Sequence, residues 1–522
     1  MSLSQSITRQ RKRKTKKTAP HLMIFALAGT GKTTTIVEGV KNLMGFSSSI
    51  SPSSQQRAIW DAIALSKNPR SVCCVAFSKA IQTELQKRVP PGCTTMTAHS
   101  MGFKAITKHF GLKGRNIVNG KRTEEIIAEL LNRDIWQLRS KEREMLSATC
   151  RLVDLCKMTL TGHIPHEKDW PTSLVSLASH YDVDLGNRLE TILDLVPRVL
   201  ERTKDVQQDG RFDYADMVWL PVVLNLPLFC YDLLFVDEAQ DLNRAQQELM
   251  LRAGKRLVLC GDPKQAIFGF AGADCESMPR MHRLLSEMPA GCVSLPLTIT
   301  YRCAKSVVAE AQQFVPDYQA HESNPNGAVQ TISFRAYKTS IADGDMLLCR
   351  TNAPLVSQCF QFLKEGRKAV IQGQDIGTRL SGLIKRLKPA SITDLQEKLD
   401  SWLSLETTRE GTRPVPNENR IIALQDRHSC IMAFIEDAAT PEEVIKRIDK
   451  IFTDEETTGI KLSSIHKAKG LEADNVFILD PSLLPHPMAR TAWQKEQEYN
   501  LYYVAVTRAK HTLTYVGPKK KA

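Results

Sequence analysis

Ala26-Leu27-Ala28-Gly29-Thr30-Gly31-Lys32-Thr33-Thr34 and Leu234-Phe235-Val236-Asp237-Glu238-Ala239-Gln240-Asp241 are the two stretches that decide how this chain folds. The first follows the apolar run Leu22–Leu27 and opens a helix, the setting in which a glycine-rich turn cradles phosphate. Glycines 29 and 31 let the backbone close around an anion, with its N–H groups and the helix N-terminus facing the charge. Lys32 then reaches the β- and γ-phosphates and the Thr33 hydroxyl takes Mg²⁺, while Ala28, Gly29, Thr30, Gly31 and Thr34 complete the cradle. Ala26 departs from the pattern, which has its first glycine there. The second stretch is a buried-strand pattern ending in carboxylates, Asp237 to hold Mg²⁺ and Glu238 to orient the attacking water. A glycine-rich turn alone also reads as a plain strand-to-helix connection. The two stretches together predict hydrolysis of a nucleoside triphosphate.

At 522 residues the chain is too long for one core, and about three or four domains is the expectation. Hydrophobic residues make up 42%, ample for burial. No apolar run approaches the ~18 residues of a membrane span, so no membrane partner is expected. The N-terminus is basic and polar, without a secretory pattern. The 13 cysteines are scattered with no C-x-x-C pair, and Cys73-Cys74 lie within an apolar run. Reduced thiols in a cytoplasmic setting follow, with neither a zinc nor an iron–sulfur site. A net charge of +13 favours a polyanionic partner. Part of it sits in the tail Arg9–Lys17, expected to be disordered. That tail reads as an electrostatic arm for nucleic acid, as a nuclear-import-like signal, or as a solubilising segment.

Strands and helices alternate from residue 22 to about 100, as a parallel sheet needs. Val72–Phe77 reads as a strand and Lys79–Arg88 as a helix that Pro90-Pro91 ends. Charged and apolar residues then recur at helical spacing from Phe103 to Gln208, and strands return at Leu233–Val236 and Arg256–Cys260. A second α/β unit starts near Leu295, with strands at Met346–Cys349 and Val476–Leu479 and a helix around Tyr499–Arg508. Leu383–Gly459 is again helical and polar, broken by the loop Thr407–Asn417. The predicted organisation is α/β: a tail at 1–20, one core from 21–102 and 209–294 with a helical insertion at 103–208, and a second core from 295–382 and 460–522 with a smaller insertion at 383–459.

The remaining motifs fall in a recognisable order. Val75-Ala76-Phe77-Ser78-Lys79-Ala80 and Thr97-Ala98-His99-Ser100 are followed by Gly261-Asp262-Pro263-Lys264-Gln265-Ala266-Ile267-Phe268-Gly269-Phe270-Ala271-Gly272-Ala273-Asp274. Then come Thr300-Tyr301-Arg302, Ser464-Ile465-His466-Lys467-Ala468-Lys469-Gly470-Leu471-Glu472 and Tyr502-Tyr503-Val504-Ala505-Val506-Thr507-Arg508-Ala509-Lys510. Across residues 26 to 510 the set resembles superfamily 1 helicases of the UvrD/Rep type, in their compact form with small inserted domains. The resemblance implies two RecA-like P-loop domains with ATP and Mg²⁺ in the cleft between them.

On this resemblance Arg302 and Arg508 supply charge at the γ-phosphoryl oxygens from the second core, and Gln265 senses the γ-phosphate. Gly470 and Glu472 belong to the nucleotide site; Phe77, Phe268 and Phe270 stack single-stranded bases; His99, His466 and Lys467 contact the nucleic acid. The family's adenine-reading glutamine normally precedes the P-loop. Here Pro52-Ser53-Ser54-Gln55-Gln56-Arg57-Ala58-Ile59 follows it, reading both as a capped helix start and as a displaced adenine reader with Gln55 or Gln56. The function implied is an ATP-driven DNA helicase moving 3′ to 5′ on single-stranded and partly duplex DNA, as a monomer or weak oligomer, with replication or repair proteins as possible partners. A translocase that strips proteins from single strands and an ATP-gated binding switch are the rivals. Glu238 and the two arginines favour turnover over switching. The site of action is nucleoid-associated cytoplasm, or the nucleus if the tail is an import signal.

Overall fold

Runs that are apolar on both faces belong to parallel sheets covered on both sides, and here they assemble two. The computed structural model describes residues 19–114, 116–134, 140–163, 170–181, 183, 185, 188–267, 276–411, 418–436, 438–453, 458–489 and 492–518. The basic tail, Phe268 and Phe270 lie outside the described residues.

The first sheet comprises β1 His21–Ala26, β2 Val72–Ala76, β3 Cys93–Thr97, β4 Tyr231–Val236, β5 Gly254–Gly261 and β6 Cys292–Leu297. Its order is β3-β2-β4-β5-β1-β6, and all neighbours are parallel. In register, Leu22 of β1 lies between Val258 of β5 and Val293 of β6. A short pair follows, β7 Ile299–Thr300 with β8 Gln319–Ala320. The second sheet is built from β9 Ala328–Ile332, β10 Met346–Cys349, β11 Ala369–Ile371, β12 Ile460–Ser464, β13 Ala473–Leu479 and β14 Ala509–Val516. It too is parallel, in the order β11-β12-β10-β13-β14-β9.

The helices Lys32–Leu43 and Ser54–Ala64 cover one face of the first sheet through Ile36, Val40, Ile59 and Trp60. On the other face the insertion has no core of its own: Ile126, Leu152 and Val196 form one apolar cluster with Val75 and Leu234 of the sheet. The smaller insertion does the same, burying Leu395, Ile431 and Val444 with Leu347 and Ile371. The fold is α/β, two RecA-like parallel-sheet units each carrying helical insertions.

Three expected boundaries move. Leu295 lies within β6, paired to Ile24 of β1, so the division at 294/295 cuts a strand of the first sheet. The helices Ala98–Phe110 and Gln374–Leu387 run straight through 102/103 and 382/383. Composition changes where solvent exposure changes, whereas the chain leaves each sheet inside a continuous helix. No helix of the described residues is long and apolar enough to cross a membrane.

Candidate active site between the two sheets

β1 ends at Ala26, extended and buried beside Leu297 of β6, so the position that departs from the P-loop pattern is a strand residue with no need of glycine. The next turn does need it. Gly29 and Gly31 have φ of +65° and +78°, a region costly to residues with a Cβ. A Cβ on Gly29 would also sit 2.6 Å from Arg302 Cβ and from Thr300 Oγ1. Thr30 Oγ1 donates to the Leu27 carbonyl at 2.9 Å, and Thr34 Oγ1 accepts from Arg88 Nη2 at 3.0 Å.

At the start of the helix, Thr33 Oγ1 donates to Asp237 Oδ2 at 2.6 Å, joining the P-loop to the end of β4. Burial works against the charge of Lys32, but Glu238, Asp262 and Asp237 outweigh it and raise its pKa. Burial, and then the Glu238 charge, raise Asp237 above the usual carboxylate range. Glu238 is also buried, yet Lys32, Lys469, a hydrogen bond from Gln240 and Arg508 together hold it below that range. Of the two adjacent carboxyls, Glu238 is the one held below the usual range and Asp237 the one pushed above it. Its backbone is left-handed, φ +53°, a conformation that costs an L-residue ~1–2 kcal/mol and that clusters at functional sites.

Gln240 ties these groups together. Its Nε2 donates to Glu238 Oε2 at 2.5 Å and its Oε1 accepts from Asp262 N at 3.0 Å. Asp262 Oδ2 in turn accepts from Gln265 Nε2 at 2.7 Å.

The second lobe reaches this site from the facing side. Tyr301 N donates to the Gly29 carbonyl at 3.0 Å. Arg302 pairs with Glu472 at 2.5 Å, and Lys510 holds the other oxygen of Glu472 at 3.0 Å. Arg508 is buried, its Nη1 donating to Leu471 O at 3.0 Å and its Nε to Val504 O at 2.9 Å. Burial, then Arg302 nearby, lower its pKa to about 10, so it stays cationic at neutral pH. Lys469 crosses between the lobes, donating to both oxygens of Asp241 at 2.8 and 2.7 Å and to Gln265 O at 2.7 Å. Burial pushes Asp241 up to about 6 even so.

The profile of the UvrD/REP helicase N-terminal domain matches residues 7–285, more than half of the chain. The chain belongs to the UvrD/Rep helicase family. The UvrD-like helicase C-terminal domain matches residues 385–517. F-box DNA helicase protein 1 of Schizosaccharomyces pombe is 23% identical over 94% of this chain and 55% of its own length. F-box DNA helicase 1 of Gallus gallus is 22% identical over 94% and 46%. DNA helicase II of Escherichia coli is 23% identical over 56% and 38%. The chain thus spans about half the length, or less, of these curated relatives.

Against the UvrD/Rep pattern, the structure brings Lys32, Thr33, Asp237, Glu238, Gln265, Arg302, Arg508 and Glu472 into one interlobe cluster. Gly470, φ +89°, follows Lys469 in the same turn. Gln55 and Gln56 lie beside the cluster, both already engaged. Gln56 closes a capping box with Ser53 and donates to Thr35 Oγ1 at 3.0 Å, while Gln55 pairs through both amide atoms with Thr298 at 2.9 Å. Of the two serines that open the helix, Ser53 is the N-cap.

The residues expected on the nucleic acid sit apart from this cluster. Phe77, 43% exposed, stands at the end of β2, and His99 lies in the first turn of the helix after β3, its pKa lowered by burial. His466 follows β12 with its pKa lowered to about 3 by burial and by Arg350, so it is a neutral ring. Lys467 pairs with Asp375 at 2.6 Å.

Five residues escaped the sequence reading. Gln240 and Lys469 were inside quoted motifs, where a hub amide and a cross-lobe cation look like spacers. Tyr301, 44% exposed, flanks Arg302 beside the P-loop. The fourth, Tyr503, sits inside the last motif, its hydroxyl accepting from Ala28 N. The fifth is Tyr214, 65% exposed on a turn between buried carboxylates. Its neighbours Asp213 and Asp216 are buried, cap each other's N–H groups at 2.9 and 2.7 Å, and bind Lys157 at 2.7 and 2.8 Å. Arg122 adds a 2.8 Å contact to Asp216. An Asp-Tyr-x-Asp turn before an apolar helix is the sequence cue.

Proposed function

We propose that this UvrD/Rep-family chain is an ATP-dependent DNA helicase that moves 3′ to 5′ on single-stranded DNA and unwinds duplex by closing and opening the interlobe cleft. One observation carries the reading: from the second lobe, Arg302 packs against Gly29 of the P-loop and the Arg508 charge acts on Glu238. Thr33 and Asp237 would hold Mg²⁺. Their oxygens converge at 2.6 Å, and the crowding of buried carboxylates around Asp237 is the charge surplus a divalent cation relieves. Bound ATP and Mg²⁺ supply the γ-phosphoryl group and neutralise its oxygens.

The chain does the rest. Lys32 grips the phosphates from the helix N-terminus. Glu238, ionised and held through Oε2 by Gln240, presents Oε1 to the attacking water and takes its proton. Arg508 and Arg302 stabilise charge only when the lobes close, so hydrolysis and domain movement are coupled. Arg302 exchanges its Glu472 partner for the phosphoryl oxygens in that step. Gln265, anchored on Asp262, reports the γ-phosphate, and exposed Tyr301 offers a face to the base. Gln55 and Gln56 would read adenine with the amide protons their present bonds leave; replacing both by Ala should flatten the ATP:GTP ratio of kcat/KM, and an unchanged ratio would reject them. Phe77 and Tyr214 supply stacking faces for single-stranded bases.

Strand displacement on DNA and RNA duplexes with 3′ or 5′ single-stranded tails tests the reading. Unwinding of the 3′-tailed DNA alone is expected. ATP hydrolysis stimulated by single strands without displacement would favour the translocase, and absence of hydrolysis would reject the motor.

A further inference from the structure

The second lobe holds the P-loop by its backbone as well as facing it with charge. Ala28, in the middle of the loop, is fully buried, and both of its peptide groups are taken by tyrosine hydroxyls from beyond the first sheet. Ala28 N donates to Tyr503 Oη at 3.0 Å, and Tyr318 Oη donates to Ala28 O at 2.8 Å. Tyr503 lies on the helix Ala492–Val506 and Tyr318 just before β8. The two rings, both fully buried, meet edge to face with centroids 6.0 Å apart. Burial drives both phenols well above their usual range, so each keeps its proton.

Tyr503 has one proton to give once it accepts from Ala28, and Asp262 Oδ2 receives it at 3.3 Å. The same oxygen accepts from Gln265. A continuous path therefore runs from Gln265 through Asp262 and Tyr503 to the P-loop amide, and on through the Ala28 carbonyl to Tyr318. The adjoining peptides are tied too, Leu27 N to Leu297 O at 2.9 Å and Gly29 O to Tyr301 N at 3.0 Å.

We propose that Tyr503 and Tyr318 are positioning residues through which the second lobe sets the shape of the P-loop, so that movement of that lobe over nucleic acid changes nucleotide affinity. The inference rests on the ATP-driven motor reading. It differs from the role of the arginines, which touch the nucleotide; the tyrosines act through the loop backbone. A buried peptide group that loses its only side-chain partner is costly, so a moving lobe must carry the loop with it or break the pair.

The experiment is the KM for ATP of the full chain, with and without saturating oligo(dT), for wild type, Tyr503→Phe, Tyr318→Phe and the double variant. Phenylalanine keeps the ring packing and removes only the hydroxyl. Wild type should show KM values that differ with DNA by about tenfold, the scale of one unpaired buried backbone group. Each variant should bring the two values together to within about twofold, and the double variant should do no more than either single, as members of one path behave. A DNA dependence of KM in either variant equal to that of wild type would overturn the proposal. So would kcat and KM changing by the same factor with and without DNA, the mark of a merely structural pair. Wild type that fails to hydrolyse ATP would instead reject the motor reading itself.

Discussion

The two sheets share a fold but face the cleft with opposite edges. From the first come the carboxyl ends of strands: Ala26 of β1 leads into the P-loop, Val236 of β4 into Asp237 and Glu238, and Gly261 of β5 into Asp262. From the second come residues that enter strands: Glu472 precedes β13 and Arg508 precedes β14. Carboxyl ends of parallel strands open onto helix N-termini, whose N–H groups and dipole hold an anion. Amino ends offer no such field, so the second lobe contributes long charged side chains. On the proposed reading, nucleotide grip resides in one lobe and transition-state charge in the other.

Breaking the first edge should have the largest effect. Lys32→Ala removes the side-chain cation of the P-loop, and both nucleotide binding and hydrolysis should fall to background in equilibrium binding and ATPase assays. Glu238→Gln should keep binding and slow turnover by roughly 10²–10⁴-fold, the worth of a general base; turnover at the wild-type rate would remove Glu238 from that role. Smaller effects belong to two exposed aromatics of the first lobe, Phe77 at a strand end and Tyr214 in the turn before a helix. Phe77→Ala and Tyr214→Ala should each weaken single-strand affinity by ~1–3 kcal/mol, equally on mixed and homopolymer sequences, as read by fluorescence anisotropy.

A different kind of effect, on stability, lies in the second lobe. His466 has a folded pKa of about 3, below the ~6.5 of an unfolded histidine. The unfolded chain therefore takes the proton first, and stability should fall as pH drops from about 6.5 toward about 3. His466→Gln should flatten that slope in urea titrations across pH.

What the sequence made legible follows the same asymmetry. Strand-end loops of the first lobe are contiguous in the chain, so the P-loop and the Asp237–Asp241 stretch could be read directly, and Met346–Cys349 and Lys79–Arg88 form the strand and helix their patterns predict. The second lobe assembles its share from distant segments. Lys469 meets Asp241 and Tyr503 meets Ala28 only after folding, and no spacing rule announces such pairs. Composition misplaced the boundary at Leu295 because an edge strand of mixed polarity, Cys292–Leu297, resembles the start of a new unit. Gln55 and Gln56 show the opposite failure: the helix start they belong to was readable, but the engagement of Gln55 with Thr298 and of Gln56 with Thr35 was not.

The division of labour between the two edges is tested most directly by Arg508→Gln, which removes the guanidinium charge but keeps a polar amide. Single-turnover ATP hydrolysis with saturating oligo(dT) and nucleotide affinity are measured on the same protein. The two-edge account predicts hydrolysis slower by roughly 10³-fold or more, the worth of an arginine at the γ-phosphoryl group, with nucleotide affinity within a few-fold of wild type. Hydrolysis at the wild-type rate, or loss of nucleotide binding in step with it, would contradict the account.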